Sequence, residues 1–146
     1  AKEDTILGRK IKQIMEAVDN TPSWLASFMF EQQLLSLDAN ETIIFEGAGR
    51  TEIEAKFFKK INNFLEREFR VIYLETSENT IRERVAKRAG IEGRADDKSI
   101  EHRFERFNEQ TLPAINYFRS IGKVIDIDGE PLPDVVAQEV WQKISA

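Results

Sequence analysis

Three short apolar runs, set apart by segments of helical period, constrain this chain more than any other feature of it. The runs are Thr42–Glu46, Arg70–Glu75 and Lys123–Asp128, and their length and composition predict buried strands. Between them the apolar residues recur once per helical turn. Ile6–Val18 carries Leu7, Ile11, Ile14, Met15 and Val18 on one stripe. Thr21 and Pro22 suit the cap and first turn of a second helix, which runs through Trp24, Leu25, Phe28, Met29 and Leu35. Thr51–Glu66 carries Ile53, Phe57, Ile61 and Leu65, Ser77 can cap a helix holding Ile81 and Val85, and Pro133–Ile144 closes the pattern. A long helix is expected from Ile100 through Phe104, Phe107 and Ile115 to Phe118. Pro113 must kink or interrupt it, because proline lacks the N–H that would bond Glu109. Strands alternating with helices predict an α/β fold whose parallel sheet is covered on both faces, a three-layer αβα arrangement. Three strands are few for a doubly wound sheet, and none precedes the first helices.

The 146 residues suit one domain, with 41% hydrophobic and 32% charged residues as in soluble globular chains. No apolar run has the length to cross a bilayer, and no signal-peptide pattern opens the chain. The absence of cysteine excludes disulfides and thiolate metal sites and fits a reducing cytosol, and His102 alone cannot make a usual zinc site. A net charge of -5 speaks against general nucleic-acid binding. The arginines nevertheless crowd one stretch, at positions 82, 84, 88, 94, 103 and 106, where Glu83, Glu92, Asp96, Asp97, Glu101 and Glu105 interleave with them.

Four groups of residues suit chemistry. Glu46-Gly47-Ala48-Gly49-Arg50-Thr51 follows a strand, where open α/β sheets bind ligands. Its glycines admit close approach of backbone, and Arg50 can grip a phosphate or carboxylate; an ordinary strand-to-helix turn fits equally well. Arg84 and Arg88 share one side of a helical turn, either to hold a phosphate between them or as a solvated face. Gly93-Arg94-Ala95-Asp96-Asp97 suits either a mobile cover over an anion or a polar turn capping the next helix. Arg103 falls on the edge of the buried stripe and either snorkels or points into a cleft, whereas Arg106 reads as a surface charge. Arginines gathered this way suit phosphoryl transfer, which asks for positioning and dispersed positive charge more than for covalent chemistry.

The order Gly93-Arg94-Ala95-Asp96-Asp97, then Arg103, then Glu109-Gln110-Thr111-Leu112-Pro113-Ala114-Ile115-Asn116-Tyr117-Phe118 resembles the signature of adenylate kinases and UMP/CMP kinases. Leu7-Gly8-Arg9-Lys10-Ile11 through Pro22 is similar to the family's acceptor-binding helices, which would occupy residues 1–38. Glu46–Thr51 resembles its Asp-Gly-Phe-Pro-Arg-Thr segment, and Asp128-Gly129-Glu130 the loop near the ATP base. The resemblance covers the whole of 1–146 and implies one nucleoside monophosphate kinase domain of P-loop NTPase-like fold. Its function would be to move the γ-phosphate of ATP to AMP with Mg2+, as a cytoplasmic monomer without nucleic-acid or membrane partners. It implies that Arg50 grips the acceptor phosphate, Arg84 stacks on the ATP adenine and Arg88 contacts nucleotide phosphates. Arg94 and Arg103 would neutralise the transferring group, backbone at Glu130 and Pro131 would approach the ATP base, and Glu46 would hold magnesium through water. Residues 90–97 would be a short lid, mobile without nucleotide, and Arg50, Arg84, Arg88, Arg94 and Arg103 would line one cleft.

The departures are specific. Ala48 and Gly49 replace Phe and Pro and loosen the turn that aims Arg50. Glu54 stands where adenylate kinases place a glutamine that reads the acceptor adenine; a carboxylate only accepts hydrogen bonds, which opens the choice among AMP, CMP, UMP and GMP. The link from Asp97 to Arg103 is slightly short. No G-x-x-x-x-G-K-[ST] occurs in the 146 residues, so a phosphate loop and its strand, a unit of roughly 30 residues or more, are expected upstream in a longer protein. That strand would fill a gap between the first and second apolar runs. Without it the 146 residues are expected to be inactive, and the alternative is a non-catalytic nucleotide-binding module or degenerate paralogue.

Overall fold

The computed structural model describes residues 5–16, 21–89 and 100–145. In chain order the elements are α1 (Ile6–Glu16), α2 (Ser23–Leu35), α3 (Glu52–Phe64), β1 (Val71–Glu75), α4 (Glu78–Ala89), α5 (Ile100–Arg106), a π-helical segment (Phe107–Thr111), α6 (Leu112–Ser120), β2 (Val124–Asp128) and α7 (Pro133–Ser145). β1 and β2 pair in parallel, with Val71 opposite Val124 and Glu75 opposite Asp128. Helices α6 and α7 pack on β2, α6 also packs on α3, and α3 on α2. The fold class is α/β with an open parallel sheet, as the alternation of periods predicts.

The helix ends follow local chemistry. Thr5 caps α1 by accepting from the Gly8 N–H at 2.9 Å. Helix α2 begins after Pro22 with no side-chain cap, so the expected cap from Thr21 does not form. α3 stops at Phe64, two residues before the expected end, because Glu66 takes a left-handed φ of 53°. The Arg67 N–H then bonds Asn62 O at 2.9 Å and the Glu66 N–H bonds Asn63 O at 3.3 Å, a pairing that satisfies the last carbonyls of the helix. The Arg67 guanidinium continues this work, donating to the carbonyls of Glu41 (2.9 Å), Leu37 (3.3 Å) and Asp38. It thereby ties the turn after α2 to the end of α3.

Pro113 interrupts the predicted long helix in a definite way. The turn before it widens to π geometry over Phe107–Thr111, and the Leu112 N–H bonds back to Phe107 O. A widened turn takes up the missing proline donor without ending the helical course.

The core is aromatic. Ala55, Ala114 and Phe118 form its buried centre. A row of edge-to-face rings runs through it: Phe30–Phe45 at 5.2 Å, Phe45–Phe58 at 6.0 Å, Phe58–Phe69 at 5.2 Å and Phe69–Phe118 at 5.9 Å.

The run Thr42–Glu46 corrects the expectation of three strands in one sheet. The sheet of the described residues has two strands, and 42–46 belongs to neither. Nor is the run buried: Ile44 is 92% exposed. An apolar run becomes a strand only where a neighbour takes its backbone N–H and C=O groups. Here the segment is held instead by the Phe45 ring between Phe30 and Phe58. The first and second runs form no ladder with one another.

Candidate functional site

The loop from Glu46 to Thr51 is shaped by two glycines with positive φ, Gly47 at 76° and Gly49 at 69°. Gly49 is buried against Phe118, and a Cβ there would lie 3.1 Å from the ring. Arg50 folds back over Gly47, so a Cβ at Gly47 would meet Arg50 Nη2 at 2.6 Å. The turn that lacks Phe and Pro is therefore defined by backbone that only glycine readily adopts and by an arginine lying across it. Arg50 and Glu46 are both exposed.

Glu54, the expected reader of the acceptor base, is buried at 6% exposure. Its Oε2 accepts from the Arg50 N–H at 2.9 Å, and its own N–H donates to Thr51 Oγ1 at 3.3 Å. Thr51 Oγ1 also lies 3.1 Å from Ser23 Oγ, which joins the starts of α2 and α3. Thr51 thus caps α3 through the Glu54 N–H, while the Glu54 carboxylate, in a first turn where the helix dipole favours negative charge, completes the cap by tying the Arg50 N–H back to the helix. Thr51-Glu52-Ile53-Glu54 carries the T-x-x-E spacing of a capping box, a signal present in the sequence that the comparison with glutamine overshadowed. Glu54 also lines a small crevice with Ser27, Phe30, Glu31, Gly49 and Phe58.

The second group forms where β2 turns into α7. The Gly129 N–H bonds Glu75 O at 2.7 Å, and the Glu130 N–H bonds Asp128 Oδ1 at 2.9 Å. Glycine is required at 129, because a Cβ would stand 2.8 Å from Glu75 O and closer still to Thr76 Oγ1. Arg84, from α4, donates to the carbonyls of Gly129 (2.8 Å), Glu130 (2.8 Å) and Pro131 (3.3 Å). Arg84, Glu130 and Pro131, which the resemblance grouped at the ATP base, therefore come together in space.

The Glu130 carboxylate reaches the other way, accepting from the Ser77 N–H at 2.6 Å and from the Thr80 hydroxyl. The Thr80 hydroxyl bond foremost, then the Ser77 N–H, holds its carboxyl below the usual carboxylate range. The folded value is depressed, so the stability this bond contributes is present above the unfolded value and is lost as pH falls through the folded one. A carbon-detected titration is expected to place the Glu130 midpoint below those of carboxylates free of such bonds; a midpoint at or above theirs would refute the capping bond.

No family model matches the chain. It is 30% identical over 145 residues to an adenylate kinase of Thermus thermophilus, a match that takes in 97% of this chain and 73% of that protein. An adenylate kinase of Leifsonia xyli is 31% identical over 142 residues, 95% of this chain and 71% of the relative. One of Leptospira biflexa is 30% identical over 131 residues, 88% and 70% respectively. The chain belongs to the adenylate kinase family.

Membership makes it a relative of nucleotide-binding phosphotransferases, and the remaining arginines stand as follows. Arg88 is half-buried in the last turn of α4. Arg103 is exposed on α5, while Arg106, expected as a surface charge, is half-buried. Arg82, from α4, covers Phe104 of α5: its guanidinium lies 4.8 Å from the centre of the ring. Arg82 also holds Glu101 through both nitrogens, one at 3.0 Å, and so moors α5 to α4. Sequence reading placed Arg82 only in the arginine crowd, since its partners lie across the 90–99 stretch. Arg94 and the expected lid at 90–97 fall outside the described residues. Among the described residues no group of three or more acidic or histidine side chains could hold a metal, and no helix is long and apolar enough to cross a membrane.

Proposed function

We propose that the chain carries the acceptor site, donor-base site and lid of a nucleoside monophosphate kinase that moves the γ-phosphate of ATP to AMP, leaving two molecules of ADP. The observation that carries the reading is the Arg84 guanidinium, held by three carbonyls of the 129–131 turn in a chain of this family. Bonds made in the guanidinium plane leave its faces free to stack on a base. Arg50 takes the acceptor phosphate, Arg88 the donor phosphates, and Arg94 and Arg103 the charge of the transferring group. Bound Mg2+ would supply positive charge to offset that of the donor phosphates. The exposed Glu46 carboxylate offers the oxygen donor that such a hard cation prefers, reached through water. The enzyme acts as a cytoplasmic monomer.

The 146 residues contain no G-x-x-x-x-G-K-[ST], so transfer requires a phosphate loop from outside them. The same observation favours the second reading, a nucleotide-binding module without catalysis. The two separate in one experiment: the chain is joined to the part of the Thermus thermophilus adenylate kinase that it does not span, and ADP formation from ATP and AMP is followed. Production of ADP by the chimera supports the kinase; nucleotide binding without ADP production supports the module.

Acceptor choice turns on Glu54. In the chimera Glu54→Gln is expected to change the order of AMP, CMP, UMP and GMP as acceptors and to raise the preference for AMP. An amide adds the donor that adenine's ring nitrogen needs and still accepts from the Arg50 N–H. Glu54→Ala removes the carboxylate's bond to the Arg50 N–H as well and is expected to cost about 1 kcal/mol of stability. An unchanged acceptor order in Glu54→Gln would show that Glu54 only caps α3.

A further inference from the structure

The clasp between α4 and the 128–131 turn has two arms that run in opposite directions. Arg84 sends its guanidinium from α4 to the turn, where it binds three carbonyls. Glu130 sends its carboxylate from the turn to the start of α4, where it takes the free Ser77 N–H and the Thr80 hydroxyl. The Ser77 hydroxyl completes that end, 3.1 Å from Thr80 Oγ1. The start of a helix presents unbonded N–H groups, and a carboxylate satisfies them well. A guanidinium bound to a turn that could itself shift would be poorly placed to meet a planar ligand. The Glu130 arm removes that freedom. Arg84 nevertheless remains exposed, as expected if its bonds lie in its plane and its face is open.

We infer that the Glu130 carboxylate is a positioning residue for the donor base: by capping α4 it fixes the turn whose carbonyls hold Arg84 flat for stacking. The inference rests on the nucleotide-site reading above and adds to it a side chain whose part there had been its backbone alone. The ligand class is an aromatic base with its ribose, and no phosphate contact enters.

Adenosine is therefore the probe, because it needs no phosphate loop. The 146-residue protein is titrated with adenosine and followed residue by residue by NMR, reading the Arg84 Nε–H and the Gly129 N–H for the donor side. The Arg50 and Glu54 N–H signals report the acceptor side. In Glu130→Ala the affinity read at Arg84 and Gly129 is expected to fall by about tenfold, while that read at Arg50 and Glu54 stays within about twofold. Glu130→Gln keeps an oxygen for the Ser77 N–H and is expected to restore donor-side affinity to within about threefold of the parent. Unchanged donor-side affinity in Glu130→Ala, or an equal loss on both sides, overturns the inference. So does a parent protein in which adenosine moves the acceptor signals alone, an outcome that leaves the acceptor half of the kinase reading standing. If adenosine moves neither set, the nucleotide-site reading fails and the inference with it.

Discussion

Arg103→Ala in the chimeric kinase is expected to lower kcat by about a thousandfold while leaving the KM for AMP nearly unchanged. A guanidinium that neutralises the transferring phosphoryl group acts in the transition state and contributes little to ground-state binding. The position suits such a test. Arg103 is exposed on α5, and α5 is moored to α4 by Arg82, through Glu101 and the Phe104 ring. Arg103→Lys restores the charge without the planar fork and is expected to recover only part of the loss. A drop in kcat of less than about tenfold in the alanine variant would remove Arg103 from the transfer step.

Phe118→Ala is expected to cost about 3–5 kcal/mol of folding stability, a large share of the 5–15 kcal/mol typical of a domain. Phe118 is 3% exposed, closes the ring row against Phe69 and packs with Ala55 and Ala114. Alanine would leave a void that neighbours on three elements cannot fill together. The same ring supports Gly49 from beneath, so the Glu46–Thr51 loop loses its floor and AMP affinity is expected to weaken as well. Phe118→Leu keeps most of the volume and is expected to cost roughly 1–2 kcal/mol. Urea unfolding measures both variants; a loss below about 1 kcal/mol for alanine would mean that the core does not depend on this ring.

What could be read from sequence was what neighbours along the chain decide. The helical stripes located α1 to α4 and α7, and Pro113 announced the widened turn before α6. Two of the three apolar runs became paired strands. Thr42–Glu46 did not, because pairing is a property of what lies beside a segment, and its apolarity served the ring row through Phe45. The candidate site divides the same way. Arg84 and the 129–131 turn were grouped through resemblance, and the fold joins them directly. The Glu130 carboxylate was missed because Ser77 and Thr80 lie far from it in sequence, and only the parallel pairing of β1 with β2 sets their ends side by side. Glu54 was read for the base and missed as a cap, although its spacing from Thr51 carried that signal.

The row of rings also bears on how the chain acquires its fold. Phe30, Phe45, Phe58 and Phe69 follow one another closely in sequence, so each contact closes a short loop, whereas Phe118 joins them from beyond β1, α4 and α5. Short closures cost less chain entropy than long ones. The first four rings can therefore gather into a nucleus before the sheet exists, with Phe118 docking last. Changes at Phe45 or Phe58 would then slow folding, while changes at Phe118 would chiefly hasten unfolding. The loop that carries Arg50 lies between Phe45 and Phe58 in sequence, so it is enclosed by the part that assembles first, while Gly49 meets its packing partner only in the final step.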